Sequence, residues 1–133
     1  MNQSDETSVM LQTLHDYYKA FSTLDPSRAV AYFNEPAMLI SVQGVYVAQT
    51  HTLLANLFTS IMGPLRARGF GRSEPSMPKV KQLSATAGLT SDTAIRYQRD
   101  GAEMDRAGAT CVLRKTSAGW KIVVAVLHDV QET

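Results

Sequence analysis

The sequence predicts an α+β fold with the element order ααββαββββ. Three observations predict it. Apolar residues recur at helical spacing near the N-terminus, strand-like runs fill the chain from Val80 onward, and the stretch from Cys111 to Asp129 divides into two β-rich runs around Ser117-Ala118-Gly119, a hairpin signal. In the second run Trp120, Ile122, Val124, Val126 and His128 fall on one face of a regular strand, while Val123, Ala125 and Leu127 fall on the other. Both faces are apolar. Such a strand needs two covers, helices on one side and something else on the other.

Taken in order, Met10, Leu14, Tyr17, Phe21 and Leu24, widened by Leu11 and Tyr18, make the stripe of an amphipathic helix over 7–23. Asp25-Pro26 supplies an N-cap and a first-turn proline for a short helix over 26–33 that packs Val30 and Phe33, and Asn34-Glu35-Pro36 ends it. Strands over 37–42 and 45–48 flank a tight Gln43-Gly44 turn. Thr50 caps a third helix whose stripe is Leu54, Leu57, Phe58, Ile61 and Leu65, with Gly63-Pro64 set to kink or end it and Gly69 as its C-terminal cap. Residues 70–79, with two glycines, Pro75 and Pro78, read as an irregular connection or a flap. Strands follow over 80–89, 93–99, 104–115 and 120–129, with turns at Thr90-Ser91-Asp92 and Asp100-Gly101.

A chain of 133 residues forms one domain, 1–133, large enough for a core without disulfides or a structural metal. Charge is balanced at +1, so no broad basic field points to nucleic acid. No apolar run is long enough to span a bilayer, and the acidic start Met1-Asn2-Gln3-Ser4-Asp5-Glu6 is unlike a signal peptide. The lone Cys111 sits in an apolar run, and a reducing cytoplasm is the expected compartment. His15, His51 and His128 have no partners at ligand spacing, so no metal or other cofactor is expected.

The order of elements, the Tyr17-Tyr18-Lys19-Ala20-Phe21 helix, Asp25-Pro26, the Gly44 hairpin, Asp100-Gly101, and Cys111-Val112-Leu113-Arg114-Lys115 before Gly119-Trp120-Lys121-Ile122 together resemble the nuclear transport factor two-like superfamily. The likeness is to its SnoaL-like and ketosteroid-isomerase-like bacterial members. It implies a curved antiparallel sheet wrapped as a cone around the long first helix, with a ligand pocket at the open end. It also implies a homodimer through the convex sheet face, which places Val123, Ala125 and Leu127 against a partner subunit. The superfamily holds isomerases, cyclases, dehydratases, epoxide hydrolases and binding modules, so site residues decide the chemistry. Against the ketosteroid isomerases, which need a carboxylate base on the first hairpin and a tyrosine plus a neutral acid as donors, Tyr17 matches the tyrosine. Ser41 stands where the base belongs, and Ala109 or Thr110 where the second donor belongs. The isomerase mechanism is therefore not expected here.

The candidate acid/base residues are His128, or Asp129 if the register shifts, with Tyr17 as hydrogen-bond donor. Tyr17 reads equally well as a core tyrosine. Candidate ligand contacts are Tyr17, Phe21, Phe33, Ser41, Leu54, Phe58, Met62, Val112 and Trp120, joined by Arg96 if that residue rather than Tyr97 faces inward. The expected ligand is a small apolar or carbonyl-containing molecule. Three functions compete: a ligand-binding domain without catalysis, an enzyme of the cyclase, dehydratase or isomerase type, and a protein-association module.

Overall fold

The computed structural model describes residues 6–130, and their elements follow the predicted order. Helix α1 (Thr7–Ser22) and the short α2 (Pro26–Val30) precede a hairpin of β1 (Phe33–Ser41) and β2 (Gly44–Ala48). Helix α3 (His51–Ala67) leads into four long strands, β3 (Phe70–Gln82), β4 (Ala87–Gln98), β5 (Glu103–Thr116) and β6 (Gly119–His128). All six strands form one curved sheet in the order β2-β1-β6-β5-β4-β3. Its pairs are antiparallel except β1 beside β6, which run parallel.

Local chemistry sets the boundaries. The Asp25 carboxylate accepts from the Ser27 N–H at 3.0 Å and the Thr50 hydroxyl from the Leu53 N–H at 3.2 Å, capping α2 and α3. Gly69, with φ of 86°, takes the left-handed conformation that closes α3. On α1, Met10, Leu14, Tyr18 and Phe21 are buried against the concave face of the sheet. Gly88 makes room there, because a Cβ on it would stand 2.3 Å from the Met10 sulfur. The core beyond is dense: Phe33, Leu54, Phe58, Leu113 and Ile122 are at most 1% exposed, each stabilising the fold by roughly 1.5–3 kcal/mol. The Glu6 carboxylate ties the start of α1 to this packed region, accepting from Trp120 Nε1 at 2.7 Å and pairing with Lys115.

Four details differ from the sequence reading. The 26–33 helix stops at Val30, and Phe33 to Pro36 enter β1, where the Tyr32 carbonyl already accepts from the Ile122 N–H. Residues 70–79 are strand rather than flap. They form the edge strand β3, where Pro75 and Pro78 leave no partner short of an N–H, and the register slips between Ser76 and Lys79 beside Met77 at φ of 51°. Helix α3 continues through Pro64 to Ala67. The Thr90-Ser91-Asp92 turn is absent. Those residues are the middle of β4, and the β3–β4 turn lies at 83–86, where Leu83 and Ser84 both donate to the Ala87 carbonyl.

A fifth difference alters the site. Leu113 pairs with Ile122 but Val112 pairs with Val124, so Val123 is an extra residue, a β-bulge, and the alternation of β6 flips there. Trp120 and Ile122 face the core before it; Ala125 and Leu127, opposite buried Cys111 and Ala109, face the concave side after it. Val124, Val126 and His128 turn to the outer face. The expected pairing of Ala125 and Leu127 with a partner subunit is thereby corrected.

Candidate functional site

Between α1 and strands β4 to β6 lies a cavity of about 80 Å³. Tyr17, Tyr18 and Phe21 wall it on the helix side, and small residues on the sheet, Ala94, Ala109 and Ala125, leave it open. Arg96 lines both this cavity and a wider depression of about 400 Å³ that includes Ser41, His128 and Asp129. Leu127 and Ile61 border both as well, so these residues mark the mouth.

The polar groups come from alternate positions of β4. Thr90, Asp92, Ala94 and Arg96 share the concave face, opposite Cys111, Ala109, Ala107 and Asp105 on β5. Asp92 is 7% exposed, and its Oδ2 accepts from the Tyr18 hydroxyl at 2.6 Å, while its Oδ1 is buried without a partner among the described residues. Burial raises the Asp92 carboxyl to about 6, the Tyr18 bond working in the opposite direction. The Tyr17 hydroxyl makes no hydrogen bond among the described residues, and burial holds it well above an ordinary phenol. Burial likewise pushes the Cys111 thiol up to about 12, so it remains a thiol rather than a nucleophilic thiolate. Arg96 is held only loosely, 3.7 Å from Asp105. A guanidinium and the Tyr17 hydroxyl thus meet at an apolar cavity, with the Tyr18–Asp92 pair beside it, an arrangement suited to orienting a small polar-headed molecule.

Of the expected site residues, the structure brings Tyr17, Phe21 and Arg96 to the cavity and Ser41 to the mouth. Phe33, Leu54, Phe58 and Met62 are instead solid core, at most 2% exposed. Val112 stands on the outer face at 37% exposure, and Trp120 is buried beside Glu6. The strand end at His128 and Asp129 borders the mouth, but the imidazole lies over Gly108 on the outer face. There His128 Nδ1 donates to the Asp129 carbonyl at 2.7 Å, and Nε2 meets the Thr110 hydroxyl at 2.9 Å. Since a carbonyl can only accept, Nδ1 carries the proton. Arg66, Arg68 and Arg72 are each engaged, with the Leu24 carbonyl, Asp105 and Glu74. Among the described residues no three His, Cys, Asp or Glu side chains gather as metal ligands, and no helix is long and apolar enough to cross a membrane. Sequence reasoning missed Asp92 and the role of Tyr18. The one signal was the alternation Thr90, Asp92, Ala94, Arg96, which is strand-like when the turn-forming composition is set aside.

Comparison with known proteins agrees with this architecture. A Nostoc punctiforme protein of unknown function with a cystatin-like fold superposes with a TM-score of 0.78 at 14% identity, over 96% of this chain and 94% of that one. A ketosteroid isomerase-like protein from Erwinia carotovora atroseptica superposes at 0.69 with 18% identity, over 98% and 100%. An NTF-2 like protein of unknown function from Shewanella oneidensis does so at 0.75 with 18% identity, over 94% and 100%. At these identities the likeness is one of fold. No curated protein matches the sequence. The family model described as NTF2-like protein (DUF6841) matches residues 5–130, almost the full length, and the chain belongs to that family.

Proposed function

We propose that this chain is a small-molecule-binding domain whose ligand enters past Ile61 and Leu127 and sets an oxygen between Tyr17 and Arg96. The observation that carries the reading is the Tyr17 hydroxyl: a donor with no acceptor among the described residues, on a half-buried side chain that lines a cavity shared with a weakly paired guanidinium. The test is a fluorescence titration with 1-anilinonaphthalene-8-sulfonate, an apolar anion. Saturable binding that is lost in Ala94→Leu and weakened in Arg96→Gln supports the reading; binding undiminished in Ala94→Leu overturns it.

The outer face supports a second element of the proposal, a homodimer. Val47, Met38, Val124 and Val112 form one row across four strands, and Val45, Ile40 and Val126 another. Val45 and Val47 are more than half exposed. An apolar surface continuous over four strands fits a second copy of the same sheet. Sedimentation should show a dimer that Val124→Lys dissociates; a monomer at every concentration refutes this element.

A further inference from the structure

We propose that Asp92 is the inner anchor of the cavity and that its ligand is an aromatic or similarly flat carboxylic acid bearing a hydroxyl group at the far end. The inference rests on the binding reading above and names the ligand class for the same cavity.

Asp92 lies just behind the cavity's wall. Its strand neighbour Ala94, its cross-strand partner Ala109 and its hydrogen-bond partner Tyr18 all line the space. Tyr18 occupies one carboxylate oxygen and fixes the group's orientation. The other oxygen, Oδ1, has neither a donor among the described residues nor exposed surface. A buried carboxylate oxygen left unsatisfied costs more than an ordinary hydrogen bond contributes, so a native protein retains one chiefly where something else fills it. Thr90, two residues deeper on the same face and fully buried, has only the Cys111 thiol opposite it for a partner. The Asp92 Oδ1 atom is thus the acceptor on this side of the cavity that a ligand donor would satisfy.

The opposite end has the complementary chemistry. Arg96 is four residues from Asp92 on the same face, about 13 Å away between Cα atoms at the rise of a strand. Tyr17 lines the same space as Arg96, and its hydroxyl has no partner among the described residues. An acceptor at the inner end and a cation with a donor at the outer end call for a ligand with a hydroxyl donor at one end and a carboxylate at the other. Between them the walls are aromatic on the helix side, with Tyr17 and Phe21, and alanine-lined on the sheet side. That slot suits a flat apolar body.

The titratable groups around Asp92 are Tyr17, Tyr18 and His15 on α1, Cys111 on β5 and His128 on β6. The two tyrosines and the thiol stay neutral through the pH range in which Asp92 changes charge. Since Tyr18 holds Oδ2, a proton taken up by Asp92 goes to Oδ1 and removes the acceptor.

The probes are 4-hydroxybenzoate and benzoate, compared by calorimetry on the full chain. The hydroxyl is expected to improve affinity by about tenfold, as one charge-assisted hydrogen bond does. This advantage should fade as pH falls through about 6. In Asp92→Asn, Tyr18 keeps the amide oxygen and turns the amide nitrogen, a donor, toward the cavity. There the advantage should shrink to less than about twofold, with folding checked by thermal unfolding. Equal affinities for the two acids in the unaltered protein overturn the proposal, as does a tenfold advantage that survives Asp92→Asn. If neither acid binds while the fluorescent anion still depends on Ala94, the ligand class is wrong and the cavity reading stands. If that dependence is missing as well, both fall.

Discussion

On the Gly119 side of Val123, β6 presents Trp120 and Ile122, at 3% and 0% exposure, to a filled interior; on the other side it presents Ala125 and Leu127 to a cavity. One strand, with the same apolar composition throughout, serves a packed region and an open one. The packed part is surrounded by large side chains, Phe33, Leu113 and Met10 among them, with the few polar groups paired, as Trp120 is with Glu6. The open part is lined by alanines, and the polar groups in and beside it are incompletely satisfied: among the described residues the Tyr17 hydroxyl and Asp92 Oδ1 have no partner, and Arg96 stands 3.7 Å from Asp105. Stability concentrates in the first and unmet interaction in the second, which is the usual division between scaffold and site.

The largest effect that separates the two regions is expected in the packed one. Ile122→Ala removes a fully buried side chain and should cost about 3–4 kcal/mol in urea unfolding. A loss below about 1 kcal/mol would show that this region is as loosely filled as the cavity.

Asp92→Asn should move the other way. The folded-state carboxyl is raised to about 6 from its ordinary 3.8. The native protein therefore holds its proton over a window in which the unfolded chain has lost it, and the associated stability disappears as pH rises from about 4 through 6. Above that window the buried charge is a liability on the order of 2–3 kcal/mol. The variant should unfold later than the parent at pH 8, and the difference should vanish near pH 4. A parent whose stability is flat between pH 4 and 7 would erase the contrast between the paired and unpaired regions.

The smallest effect sharpens the boundary at the mouth. His128→Ala breaks one bond to Thr110 and one to the Asp129 carbonyl on the outer face, for a loss of about 1 kcal/mol. Ligand affinity should be unchanged. A several-fold loss of affinity would mean that the imidazole reaches the cavity after all.

Much of the fold was legible because periodicity reports burial directly. The α1 stripe, the Asp25-Pro26 start and the Gly44 hairpin all follow from local rules that the folded protein obeys. The site was less legible for two physical reasons. Thr90-Ser91-Asp92 has the composition of a turn, and only the Tyr18 hydroxyl reaching across from α1 makes a carboxylate acceptable in the middle of β4. In β6, apolar residues on both faces erase the alternation that would have revealed the extra residue. Leu54, Phe58 and Met62 illustrate the same limit in a helix: the stripe shows that they face inward, but not whether the interior before them is full or empty.

The bulge at Val123 also bears on how such a domain changes over generations. Deleting that single residue would restore strict alternation in β6 with every other side chain on its present face, whereas a regular ladder that kept it would carry Val124, Val126 and His128 inward and Ala125 and Leu127 outward. The bulge therefore lets the last strand hold one residue more or fewer while the chemical lining it contributes stays constant. A sheet that absorbs a residue in this way can change the length of its last strand without first having to survive a new pocket.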